Sequence, residues 1–220
     1  MDNYTVDLSK KWDYENGFYL TSEQGRIGKL VSHLEIYKQI IGLPGEVLEF
    51  GVYKGTSLIR LLTFRELFEH NFSRKVIGFD AFGKFPDDLS KNEDKEFVKK
   101  FEKAGGYGIS KPELEKHIDR KGINNYELIA GDIKTTLPEF LRNNPALKIS
   151  LLHIDVDVYE PTKIILELLW EKIVRGGILM LDDYGTVSGE TKAVDEFFSK
   201  KNIVIRKERF YNIPSYIVKE

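Results

Sequence analysis

The chain has 220 residues, a formal net charge of −2 and no cysteine. That length suits one large α/β domain able to bury most of its apolar surface. The charge gives no broad pull toward nucleic acid or anionic lipid, and the lack of thiols excludes disulfides, zinc–thiolate sites, iron–sulfur clusters and a cysteine nucleophile.

Residues 1–25 are rich in aromatics (Trp12, Tyr14, Phe18, Tyr19) and lack the apolar core of a signal peptide. No apolar run reaches the length of a membrane span, so a cytoplasmic protein without a membrane partner is expected. The stretch GEVLEFGVYKG predicts a buried strand over 46–50 running into a glycine turn. Thr56 is placed to cap the helix that follows. KVIGFD (75–80) predicts a second strand, YELIAGD (126–132) a third, KISLLHIDVD (148–157) a fourth and GGILMLDDYG (176–185) a fifth. Between the last two, EPTKIILELLWEKIV predicts an amphipathic helix with Pro161 in its first turn. SGETKAVDEFFSKK predicts another helix, and IVIR and PSYIVK two closing strands. Strands alternating with helices imply an α/β fold with a mostly parallel sheet covered on both faces.

Two regions break the alternation. Residues 1–25 form an N-terminal arm ahead of a domain over 26–220. Residues 81–125 are too long for a plain crossover, and hold a charged helix near 91–103, with Phe97 and Phe101 one turn apart, and a short helix near 112–121. Both regions read either as decoration packed on the fold or as a cap over a ligand site.

The strands end in acids: Glu49, then Asp80, then Asp132, then Asp155 with Asp157, then Asp182 with Asp183. In a parallel sheet these ends share one edge, where ligands bind at the switch in strand order. Carboxylates crowded in a cleft need cations or hydrogen-bond donors to compensate them. Gly51-x-x-x-Gly55 matches neither the NAD fingerprint nor the P-loop. Glu49 and the glycine turn suit an amino-acid moiety, Asp80 two ribose hydroxyls and Asp132 an adenine amine. Together they suit S-adenosylmethionine, although each acid alone is equally a cap or a surface residue. Asp155, Asp182 and Asp183 offer hard oxygen ligands for Mg²⁺ or another hard divalent ion, the plain alternative being a polar turn closing a strand. Asp157 is then a candidate general base. His153 is expected to be a core histidine or to lie behind the metal ligands. His33, His70 and His117 have no assignable partner in the sequence.

The segments LEFGVYKGTSL, GFDAFGKFP, GDIKTTLP, HIDVDVYEPT, GGILMLDDYG and AVDEFF resemble the macrocin-type sugar O-methyltransferases, from about Arg26 to the C-terminus. The resemblance implies a Rossmann-like class I methyltransferase fold, a seven-stranded mostly parallel sheet with helices on both faces and a lid. It implies Mg²⁺ at Asp155, Asp182 and Asp183, and Asp157 as base. Glu49, Gly51, Gly55, Thr56, Ser57, Asp80 and Asp132 would line the S-adenosylmethionine site. It further implies in-line methyl transfer to a hydroxyl of a deoxyhexose or nucleotide-linked sugar, with 81–125 selecting the substrate. Competing readings are a catechol-like O-methyltransferase, a metal-dependent hydrolase on the same carboxylates, and a non-catalytic cofactor-binding protein. The sequence leaves the acceptor open, and also leaves open whether the arm packs on a second copy in a homo-oligomer.

Overall fold

Strand order, rather than strand count, determines where this fold can hold a ligand. The computed structural model describes residues 6–86 and 91–220. The first five residues of the predicted arm and residues 87–90 of the predicted insertion lie outside the described residues. Seven strands form one sheet: β1 (Glu46–Phe50), β2 (Val76–Asp80), β3 (Tyr126–Ala130), β4 (Ile149–Ile154), β5 (Ile173–Leu181), β6 (Arg206–Lys207) and β7 (Ser215–Val218). Their order is β3-β2-β1-β4-β5-β7-β6. The first five run parallel; β7 is antiparallel to β5, and β6 to β7. The order reverses between β1 and β4, and that is where an open α/β sheet leaves a crevice at its carboxyl edge.

The helices are α1 (Lys11–Thr21), α2 (Gln24–Lys38), α3 (Thr56–Phe68), α4 (Asn92–Gly105), α5 (Lys111–Arg120), α6 (Ile133–Asn143), α7 (Tyr159–Leu169) and α8 (Ser188–Phe198). Alternation along the strands sends successive residues to opposite faces. Leu48, Phe50, Leu152, Ile154, Leu179 and Leu181 pack with α6, α7 and α8. Val47, Leu151, Ile178 and Met180 pack with α2, α3 and α5. The same alternation puts Glu49 and His153, paired across β1 and β4, on the α2–α3 face, with Asp155 and Asp182 one step further along it. None of the helices among the described residues is long and apolar enough to cross a membrane.

Local details differ from the sequence expectation at three points. Thr56 does not cap α3; it is the first helical residue, and Gly55 holds the capping position in the left-handed conformation with no side-chain cap. A side chain there would run into Leu114 of α5. The helix predicted to reach residue 174 ends at Leu169 in a 3₁₀ turn, and β5 begins at Ile173, ahead of the glycine pair that opens the predicted strand. Gly176 (φ +80°) bends the strand, and an added Cβ on Gly177 would meet the Val174 carbonyl at 2.9 Å. Of IVIR, only Arg206 pairs in the sheet; Ile203 and Ile205 pack on the core without a ladder.

The amino end of the sheet is sealed by two buried guanidiniums. Arg65 donates to the carbonyls of Arg74 and Asn125 at 3.1 and 2.7 Å. Arg74 pairs with Glu69 at 2.7 Å and donates to the Gly45 and Leu43 carbonyls. Both guanidiniums are thereby committed to the chain itself.

Gly51 sets the spacing of that edge. Its φ is +89°, and a Cβ built on it would lie 1.8 Å from the Asp155 carbonyl oxygen. The Asp155 amide donates to the Phe50 carbonyl at 2.8 Å beside it. Gly51→Ala should therefore cost about 3 kcal/mol or more, or prevent folding. Gly42→Ala, at φ +90° with nothing within 4 Å, should cost only about 1–2 kcal/mol. Urea unfolding of both variants measures the difference, and equal losses would rule out the β1–β4 approach as the reason for glycine at 51.

Candidate functional site

A cavity of about 680 Å³ opens at the carboxyl edge of β1, β2, β4 and β5. Small-molecule sites run roughly 300–1,000 Å³. Six of the seven predicted acids line it: Asp80, Asp132, Asp155, Asp157, Asp182 and Asp183. Gly51, Thr56 and Ser57 line it as well. Glu49 and Gly55 do not. Glu49 lies fully buried beneath the cavity, where it accepts from the Ser57 hydroxyl and faces His153 Nδ1 at 3.5 Å.

The donor side is built around Asp80. Its Oδ2 accepts from the Val52 and Tyr53 amides at 2.7 and 2.9 Å, and its Oδ1 from the Phe82 amide at 2.6 Å. A carboxylate has about four acceptor positions, so Asp80 retains one for a ligand while it holds the glycine turn against β2. Burial raises its pKa and the three amides oppose the rise. Asp132 caps α6 through the Lys134 amide at 2.8 Å.

The acidic side is a set of unequal carboxylates. Asp155, Asp182 and Asp183 each offer an oxygen, and these lie within 4.8 Å of one another. Burial, and then the Asp182 charge, push Asp155 well above the usual range and raise Asp183. Asp182 goes the other way. Burial opposes its charge, but His153, His33 and Lys29 offset that and hold it well below the usual range. Burial, then the Asp183 charge, raise Asp157 to about 8. Such mutual repulsion is what added positive charge relieves.

Asp157 is also held in an uncommon backbone conformation, φ +64°. Its carbonyl accepts from the Glu190 amide at 3.2 Å. A Cβ on Gly189 would lie 2.7 Å from that same carbonyl, so α8 presses directly on the turn. Side chains in sparsely populated backbone regions persist where surrounding packing fixes them, and here that packing aims a carboxylate into the cavity.

Sequence reasoning did not assign the polar face of α2. Lys29 donates to Asp182 Oδ2. His33 and His153, both fully buried, approach Asp182 Oδ1 at 3.7 and 3.5 Å. Those separations are long for hydrogen bonds, and only the His153 contact is ionic. Burial opposes a charge on His153, but Asp182 and Glu49 raise its pKa to about 10. Burial lowers His33 to about 4. One imidazolium thus sits between two buried carboxylates with a neutral imidazole beside it. The spacing Arg26, Lys29, His33 follows one helix face and was the available signal. Glu190, fully buried, was missed too; it accepts from the Asp183 amide at 3.0 Å.

The residues fit a hard divalent ion. Asp182 Oδ1 is buried without a hydrogen bond, and the oxygens of Asp155 and Asp183 converge beside it. His33, His153 and Asp182 form a second cluster of adequate proximity. Its histidines, however, are closed off from the cavity, and an ion arriving from the cavity meets the three carboxylates first.

The insertion supplies one wall. Phe101, Ala104 and Gly105 line the cavity. Tyr53 donates to the Gly105 carbonyl, and its ring meets Phe101 at 5.1 Å. At the other end of α4, Asp94 accepts from the Tyr159 amide at 3.1 Å. Helix α1 buries no residue; Trp12, Tyr19 and Leu20 are exposed.

A family model described as Macrocin-O-methyltransferase (TylF) matches residues 24–213. The 8-demethyl-8-(2,3-dimethoxy-alpha-L-rhamnosyl)-tetracenomycin-C 4'-O-methyltransferase of Streptomyces olivaceus is 28% identical over 147 residues, covering 65% of this chain and 54% of its own length. Mycinamicin III 3''-O-methyltransferase of Micromonospora griseorubida is 25% identical over 167 residues, covering 74% and 63%. The chain therefore spans less than two thirds of the length of these two relatives. The solved structure of CalS11, a calicheamicin methyltransferase, superposes with a TM-score of 0.73 at 24% identity, covering 98% of this chain and 87% of that one. That likeness establishes a class I methyltransferase fold.

If Lys29 compensates the carboxylates, removing it must be felt. Lys29→Met should lower stability by about 1–3 kcal/mol in the presence of chelator. Mn²⁺ should then stabilise the variant more than the parent. Thermal melts with EDTA and with Mn²⁺ measure both effects. An unchanged melting temperature in EDTA would rule out a compensating role.

Proposed function

The chain belongs to the macrocin O-methyltransferase family, and from that premise we propose that it transfers the methyl group of S-adenosylmethionine to a hydroxyl of a sugar. The acceptor class is a deoxyhexose, free, nucleotide-linked or already attached to a small molecule. The observation that carries the reading is the convergence of six strand-end acids on one cavity of nucleoside-plus-sugar size. A sulfonium donor is cationic, and a sugar is rich in hydroxyl donors. Both satisfy carboxylates that otherwise repel one another.

The roles follow from position. The Gly51–Tyr53 turn, fixed by Asp80, would receive the donor's amino-acid end, and the open acceptor position of Asp80 a ribose hydroxyl. Asp132 lies at the adenine end. Asp155, Asp182 and Asp183 would hold a divalent ion, which supplies Lewis acidity to an acceptor hydroxyl when bound. Asp157 would take the proton from that hydroxyl; its raised pKa suits a base for a weakly acidic aliphatic alcohol. His153 and Lys29 keep Asp182 charged and oriented from behind. The wall from α4 would exclude water and align oxygen, methyl carbon and sulfur, which is the main source of acceleration for a direct displacement.

The test is methyl transfer to a panel of nucleotide-linked and free deoxyhexoses, with Asp157→Asn beside the parent. The variant should lose about 10²–10⁴-fold in kcat while binding S-adenosylhomocysteine as before. Chelation should suppress parent turnover and Mg²⁺ restore it. Retained activity in Asp157→Asn would remove that residue as base. Turnover unaffected by thorough chelation would remove the ion.

A further inference from the structure

Two cations face the cavity that the proposed chemistry does not use. Arg60 of α3 and Arg26 of α2 both line it. Among the described residues, neither guanidinium makes a hydrogen bond or an ion pair. Arg60 is half-buried, and Arg26 stands at the exposed rim. Burial, and then the charge of Arg26, lower the Arg60 pKa, so the two are close enough to disfavour each other. Asp182 and Glu49 favour its charge without a hydrogen bond or ion pair to it. A partly desolvated guanidinium beside a like charge calls for an anion.

The surroundings narrow the kind of anion. Arg60 lies one turn beyond Thr56 on the helix face that borders the Gly51–Tyr53 turn. Helix α3 begins at Gly55 with no side-chain cap, and its positive end points the same way. Ser57, on the same turn, is committed to Glu49 and has no proton left to donate. Asp155 and Asp157 line the same cavity. A ligand that meets both sets is anionic where it reaches the arginines and cationic where it reaches the acids. We propose that Arg60, assisted by Arg26, binds the α-carboxylate at the amino-acid end of the methyl donor, so that the donor's sulfonium points toward the acidic side. This rests on the methyl-donor reading above, and adds to it the residues that fix donor direction.

Calorimetry with S-adenosylmethionine and decarboxylated S-adenosylmethionine isolates the carboxylate. The parent should prefer the carboxylated form. Arg60→Met should weaken that form by about 10- to 100-fold and leave the decarboxylated form unweakened, and Arg60→Lys should recover part of the loss. Arg26→Met should show the same pattern at smaller size. Equal weakening of both ligands would overturn the assignment in favour of a structural role. Undiminished S-adenosylmethionine binding with loss of affinity for a nucleoside diphosphate would overturn it in favour of an acceptor phosphate. A parent that binds neither sulfonium compound would overturn the methyl-donor reading itself, and this inference with it.

Discussion

The constraint on which the site depends is the repulsion among carboxylates at the ends of β4 and β5. Asp155, Asp182 and Asp183 converge within 4.8 Å, and Asp157 is close enough to Asp183 to compete with it for a proton. The fold answers this with a charge ladder on the α2–α3 face. Glu49, His153, Asp182 and Lys29 alternate in sign. The ladder fully settles only Asp182. Asp155, Asp157 and Asp183 keep raised affinities for protons, which means they keep an unmet demand for positive charge. Fold stability and ligand affinity are therefore linked here: what binds at this edge also relieves a strain that folding alone leaves in place.

The strand ends were legible in the sequence because period-2 alternation and terminal acids are local signals. So was the register of the site, since strands that end in acid must share an edge once the connections are right-handed crossovers. Helix α2 was not legible. Gly25 and Gly28 fall in its first turns and Glu23 gives it no side-chain cap, so the local helix signals are weak and no element was assigned to the segment. The glycines answer to tertiary contacts instead. A Cβ at Gly25 would strike the Tyr211 ring at 2.5 Å, and one at Gly28 the Phe210 carbonyl at 2.5 Å. Residues almost two hundred positions later thus determine the composition of the helix that carries Arg26, Lys29 and His33. The misplaced cap at Thr56 has the same cause, because Leu114 from the insertion leaves room only for glycine at 55.

The histidines illustrate how context settles a chemical role. His153, on an interior strand, suggested an ordinary core residue, and by burial it is one. Its neighbours make it a cation: Glu49 across the β1–β4 pairing and Asp182 beyond the β4–β5 pairing. His33, 5.5 Å away ring to ring, is held neutral by burial, as two adjacent imidazolium ions would not be tolerated. Neither role is visible from residue type, because each depends on which acid a neighbouring strand or helix brings within reach.

The insertion is tied to both chemical ends of the cavity at once. Tyr53, next to the glycine turn, is joined to the end of α4 through Gly105 and to the start of α5 through the Ile109 amide at 2.8 Å. Asp94, near the start of α4, accepts from the first amide of α7, directly after the Asp157 turn. Gly189 of α8 packs against that junction from the other side. A wall anchored to the donor turn and to the base-bearing turn cannot shift without moving one of them. On the proposed reading, acceptor shape is therefore not independent of catalytic alignment. Substitutions at Phe97 or Phe101, whose stacked rings stiffen α4 at 6.0 Å, would act on alignment as well as on affinity, because both anchors lie on the helix those rings hold straight.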